Sequence, residues 1–418
     1  MRFFCFTLIL LTALLVPVDA AETVLAHLEV RAGDHTRIET PISACLDGVT
    51  INKDHGSTVL YEITGYEKIQ TPHQLELASS TRLWWILSGQ TRPQQTRRFQ
   101  LVMSDSIPQK PTIDYHLDSK VFTIHKNEHP ILQYNHAVVP PPEGVSPLYE
   151  RSGFIHPLWS PNGHVLTRIQ PLDHYHHVGI WNPWTKTTFQ GRHIDFWNLG
   201  GGQGTVRFAG FVSQINGPVY GGFQARQEHV DFSAPGPDLV AMNEVWDVRV
   251  WNVDSPMYLW DLHTTLSCAT DSSINLEAYR YGGGLGFRAT EAWTKDNCSV
   301  LTSEGKTRAD ADGSKARWCL VKGQMENGEV AGVLFMSHPE NREFPEPMRV
   351  WPLDANGGRG DMFFEFCPIR HNNWRLLPGQ DYRLKYRMLV FDGDLTPERA
   401  EQVWQDFAHP PRVLITIE

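Results

Sequence analysis

Between Tyr382 and Phe391 the chain reads YRLKYRMLVF, and as far as Met388 its apolar and basic side chains alternate. Tyr382, Leu384, Tyr386, Met388 and Val390 fall on one side of an extended backbone, with Arg383, Lys385 and Arg387 on the other. A period of two belongs to a β-strand, so the pattern predicts one face in a core and the other in water. YLWDLHTTLS repeats it, setting Tyr258, Trp260, Leu262 and Leu266 against Asp261, His263, Thr265 and Ser267. LVAMNEVWDVRVW carries a third long strand to Trp251. Paired strands of this length build large antiparallel sheets.

Shorter runs of the same kind, VLAHLEV, TVLYEI, LWWILSG and RRFQLVM, occupy Thr23 to Met103 and predict a small antiparallel sandwich. SDSIPQKP, from Ser104 to Pro111, has two prolines and little apolar material, which marks a domain boundary. With 418 residues the chain is long for one core, and it divides into a leader (1–20), a small β-sandwich (21–108) and a large β unit (109–418). One helix is expected near the end: Thr396 caps it, Pro397 opens it, Ala400, Val403, Trp404 and Phe407 share a face, and Pro410 and Pro411 stop it. No internal repeat is visible, which argues against a bladed propeller.

The leader MRFFCFTLILLTALLVPVDAAE has Arg2, an apolar run from Phe3 to Val16 and small residues around Ala20, the pattern of a cleaved export signal. The run is shorter than the roughly 20 residues that span a bilayer, so a secreted or periplasmic protein without stable membrane insertion is expected. Acids outnumber bases 47 to 37, which argues against a nucleic-acid partner. Beyond the leader, Cys45, Cys268, Cys298, Cys319 and Cys367 have no CxxC spacing, so neither a zinc cluster nor a full disulfide framework is indicated.

Chemistry concentrates in PLDHYHHVGIWNPW, Pro171 to Trp184. On an extended strand His174 and His176 would project to one side, and Asp173, Tyr175 and His177 to the other. The His174/His176 pair could hold a transition metal if the fold supplied a third ligand from His156, His338 or Glu365. The neighbouring Trp181, Trp184 and Trp197 favour a sugar instead, because a sugar ring stacks on an aromatic plane while its hydroxyls bond to short polar side chains. In FFEFCP, Glu365 is a carboxyl in an apolar row, which must be either ion-paired with an arginine or raised in pKa, as an acid or base catalyst requires. The glycine clusters at 200–204 and 282–286 are not followed by a clear helix, so they read as tight turns or close backbone approaches rather than phosphate loops.

HPLWSPNGHVLT, DHYHHVGIW, DFWNL, SHPENREFP and YRLKYRMLVFDGD together resemble a bacterial secreted family often labelled the methane oxygenase PmoA family, over His129 to Asp394. Tyr175 stands where that family tends to have proline, and Val178 where it tends to have arginine. A membrane monooxygenase subunit is a bundle of apolar helices, and nothing after Ala20 could span a bilayer. The resemblance therefore implies a β-supersandwich similar to the galactose-mutarotase-like fold rather than a membrane oxygenase.

These readings combine into an all-β protein: a small N-terminal antiparallel sandwich, then a large β-supersandwich, and one C-terminal helix. The expected function is a secreted carbohydrate-active enzyme that cleaves or epimerises a glycan. His176 or His177 acts as acid or base opposite Glu365, while Asp173, His174, Trp181, Trp197, Arg280, His338 and Arg342 bind the sugar. No cofactor is required. The alternatives are a non-catalytic glycan-binding protein and a metalloenzyme built on His174 and His176.

Overall fold

The computed structural model describes residues 22–51, 56–77, 80–104 and 109–418. The leader, residues 1–20, lies outside the described residues, as does half of the proline-bearing boundary, residues 105–108.

Two antiparallel sheets face each other. One has eight strands in the order Gly204–Ile215, Tyr220–Asp231, Leu239–Trp251, Tyr258–Cys268, Tyr382–Asp392, Val330–Ser337, Trp318–Gln324 and Cys298–Thr302. The other has nine, and its centre runs Glu346–Val350, Phe363–Phe366, Leu285–Arg288, Ile180–Trp181 and Phe154–Leu158. Every second side chain of each sheet enters the space between them. Leu384, Tyr386, Met388 and Val390 from one side meet Leu285, Phe287, Phe364 and Phe366 from the other in one apolar core.

The opposite face of Tyr382–Asp392 departs from the expected wet surface. Arg387 is only 5% exposed and pairs with Asp261 on the adjacent strand at 2.6 and 2.9 Å. Leu389 and Phe391 join a second core with Val403, Trp404 and Phe407 of the helix Pro397–Ala408. Thr396 caps that helix by accepting from the Arg399 amide, as its sequence predicts. Alternation sorts side chains between two faces, but it does not reveal that a helix covers the second one.

The N-terminal segment and the last strand of the chain form a five-stranded sheet, Arg412–Ile417, Thr23–Arg31, Thr96–Ser104, Ser57–Thr64 and Glu67–Thr71, beside a three-stranded one, Arg37–Cys45, Thr81–Thr91 and His73–Leu77. The last strand thus returns across the molecule to pair with the first, Ala26 opposite Ile417. Cys45, Cys268, Cys298, Cys319 and Cys367 are all free thiols. No helix among the described residues is long and apolar enough to cross a membrane.

Glu346 is a buried carboxyl within this body, bonded by the Ser337 hydroxyl, by Asn341 Nδ2 at 2.8 Å and by the Tyr386 hydroxyl at 2.9 Å. Burial pushes it up from 4.5 to about 7 against those bonds, which favour the charged form. A carboxyl raised in the folded state contributes stability below its unfolded pKa and loses it as pH rises through the folded one. Relative to Glu346→Gln, the native protein should therefore lose roughly 3 kcal/mol between pH 4.5 and pH 8. Urea denaturation of both proteins across that window measures the difference, and a constant difference would rule out ionisation of Glu346 as its source.

Candidate active site

Pro171 to His177 is not a strand. The His174 amide donates to the Pro171 carbonyl at 2.9 Å and the His177 amide to the His174 carbonyl at 3.0 Å, so the segment makes two successive turns. The turns gather all three imidazoles instead of sending His177 to the opposite side. Ring centroids of His174 lie 5.4 Å from His176 and 4.7 Å from His177, and those two are 4.8 Å apart. The turn succeeds because its polar side chains find partners outside any sheet.

Asp173 Oδ2 lies 2.6 Å from His174 Nδ1. A carboxylate only accepts, so Nδ1 carries the proton; in the neutral ring Nε2 then presents its lone pair, with no protein partner among the described residues. Burial opposes ionisation of Asp173, but Arg288 and the hydrogen bond from His174 outweigh it and hold the carboxyl below its ordinary range. Arg288 is 0% exposed, with Nη2 3.1 Å from Asp173 and 3.0 Å from Asp361. Asp361 also takes bonds from Arg168 at 2.9 Å, from Arg359 and from Asn356. The Trp351 ring packs against both Arg288, at 4.7 Å, and His174, at 4.9 Å.

The sheet positions these groups by its pleat. Leu285 and Phe287 point into the sandwich core, so Arg288 points out of it; opposite Arg288 in register stands Phe363, and opposite Gly286 stands Trp181. His177 fills the space over this outer face, 5.2 Å from Phe363 and 5.4 Å from both Trp181 and Trp197. At 1% exposure its pKa is pushed well below normal by burial and by the neighbouring His176 and Arg288. His176 is pushed down to about 3 by burial, His174 and Arg288. Both rings stay neutral at ordinary pH, which suits the base half of the acid-or-base role that the sequence reading gave them and not the acid half.

The tryptophans also depart from that reading. Trp181 is 0% and Trp197 3% exposed, so their faces pack on His177 and Phe363 and offer no sugar-stacking plane. Trp197 Nε1 instead donates to the His176 carbonyl at 3.2 Å and secures the turn. The exposed aromatic character near the site comes from half-buried Tyr281, whose hydroxyl accepts from Arg349 at 3.0 Å and from Trp351 at 3.1 Å. Arg280 is exposed, its guanidinium 5.4 Å above the Tyr281 ring.

Glu365 shares the outer face of its strand with Phe363 but is fully buried, with Oε1 accepting from the Gly282 amide at 2.7 Å and Oε2 without a partner. Burial holds its carboxyl well above the ordinary range. The glycine-rich turn that covers it approaches too closely for side chains: a Cβ at Gly283, where φ is +75°, would lie 1.8 Å from the Trp184 ring. His338 and Arg342 are not brought to the histidines. His338 packs 5.0 Å from Phe407 of the helix, on the outer face of the eight-stranded sheet, and Arg342 lies over Trp374 and donates to the Asn373 carbonyl at 2.8 Å. Among the described residues no three His, Cys, Asp or Glu side chains converge as a metal-ligand set. Sequence reading missed Asp361 and Trp351, whose segments carry no local motif.

A comparison with curated proteins finds no match. Among solved structures the chain is similar to an alpha-mannosidase from Enterococcus faecalis, at 9% identity and a TM-score of 0.43, over 94% of this chain and 46% of that one. It therefore spans about half the length of that mannosidase. The profile of DUF6807, a family of unknown function, matches residues 122–405, and the chain belongs to that family.

Proposed function

We propose that the protein is an exported carbohydrate-active enzyme in which His174, oriented by Asp173, is the general acid and base. The observation that carries this reading is the Asp173–His174 pair, at 2.6 Å, with Nε2 unengaged and the carboxylate fixed by buried Arg288. Nε2 takes a proton from a sugar hydroxyl or from water, Asp173 stabilises the imidazolium that forms, and the proton returns to the departing oxygen. Both glycosidic cleavage and epimerisation use such a transfer. A sugar fits the rim because Tyr281 and Arg280 offer an aromatic edge and a flexible donor there. In this reading Glu365 supports the Gly282 turn rather than facing the substrate.

The test is an NMR screen of poly- and oligosaccharides for new reducing ends or altered ring stereochemistry, run with native protein and His174→Gln. Turnover by the native protein alone supports the proposal; equal turnover by both sinks it. Saturable binding without turnover in either would favour the non-catalytic glycan-binding alternative. Export rests on the apolar leader, and N-terminal sequencing of protein recovered outside the cytoplasm should find a start just after Ala20.

A further inference from the structure

On the opposite side of the sandwich, a cleft of about 620 Å³ lies where the three-stranded sheet of the small sandwich meets the outer face of the eight-stranded sheet. Strand alternation lays Arg249, Asp261, His263, Lys385 and Arg387 side by side on its floor, since Arg249 and Arg387 both register with Asp261 and Lys385 with His263. Ser43, Arg82 and Trp84 form the facing wall.

The cleft is rich in charged side chains. Arg82, Arg249, Arg383, Lys385 and Arg387 line it against the carboxylates of Glu76, Asp261 and Asp406. Most are already paired: Arg249 with both Glu76 and Asp247 at 2.9 Å, Lys385 with Glu340 at 2.5 Å, Asp406 with Arg37 at 3.0 Å, and Arg387 with Asp261 through Nε and Nη2, which leaves Arg82 without a carboxylate among the described residues. Yet Nη1 of Arg387 is buried without a partner, on a side chain only 6% exposed, and Nε2 of His263 is buried without a partner as well. An unpaired buried donor costs about 1–3 kcal/mol, which an acceptor on a ligand would recover. Arg82 spends one bond on Ser43 Oγ, at 3.0 Å, and rests 5.9 Å over Trp84. Burial lowers the pKa of His263 and takes that of His338, also in the cleft, down to about 4. As neutral rings each keeps one nitrogen for a ligand: Nε2 of His263, and the Nε2–H of His338, whose Nδ1 already accepts from the Glu340 amide at 3.2 Å.

We propose that this cleft binds a small sugar acid, with its carboxylate on Arg82, Arg387, His263 and the Lys385 ammonium and its hydroxyls on Ser43 and His338. The volume is in the range of about 300–1,000 Å³ that encloses small ligands. The site is independent of the chemistry at His174.

Calorimetric titration of the full chain with glucuronate and with digalacturonate tests it, with glucose as the neutral control and sulfate as the bare anion. The expected result is saturable uronate binding, weakened by high salt, lowered at least tenfold in Arg82→Gln/Lys385→Gln, and unchanged in His174→Ala. Both replaced side chains are partly exposed, and an unshifted thermal melt confirms that the double variant is folded. Absence of saturable uronate binding, equal affinity for glucose or sulfate, or full affinity in the double variant would each overturn the proposal. Loss of binding in His174→Ala would overturn it too, by placing the uronate at the histidine cluster.

Discussion

Replacing His174 by alanine should lower kcat by about 10²–10⁴, the usual worth of a positioned acid or base, and leave the melting temperature close to native. The ring is about a third exposed and touches Trp351, His176 and His177, so its loss opens a surface notch rather than a core cavity. Asp173→Asn should cost a similar factor for a different reason. Its amide can donate to Nδ1, which moves the imidazole proton to Nε2 and removes the lone pair that faces substrate. KM should change little in either variant, because neither group is placed to bind remote parts of a glycan. Steady-state kinetics on the substrate found by the screen decides the matter: an alanine variant within a few-fold of native kcat would exclude His174 as the acid–base group.

The second large effect is on stability. Arg288→Leu removes the cation shared by Asp173 and Asp361, and breaking a buried ion pair costs roughly 3–5 kcal/mol. Arg168 and Arg359 remain on Asp361, which places the expectation near the lower end, about 3 kcal/mol in urea denaturation. Arg288→Lys keeps the charge but cannot reach two carboxylates with a planar fork, so partial recovery is expected. Activity adds a readout that packing alone would not move. Without Arg288 the Asp173 carboxyl rises toward its ordinary range, and because catalysis needs it ionised, the acid limb of the pH profile should shift to higher pH. An unshifted limb would show that Arg288 does not act through Asp173.

Much of the architecture is legible in the chain because alternation is a local property. Leu384, Tyr386, Met388 and Val390 announce a strand face wherever the strand ends up, and Thr396-Pro397 announces a helix start without reference to the rest. The glycines at 282–286 likewise mark a place where backbone must approach closely, and Trp184 and the Phe366 carbonyl are what they approach. Other features needed the folded molecule. The Pro171–His177 turns look like a strand in isolation, since Asp, His and Tyr alternate equally well in either; two hydrogen bonds and the carbonyl held by Trp197 decide for turns. Arg288 meets Asp361 across 73 residues because its strand pairs with Phe363–Phe366, which begins two residues after Asp361, an adjacency no spacing records. His338, with the same residue type and a polar setting much like that of His174, ends on the opposite face beside the helix. By itself the sequence determined which side of each strand a residue occupies; only the tertiary structure decided what covers that side. Alternation depends on bonds between neighbours in the chain, whereas burial, pKa and partnership depend on neighbours in space.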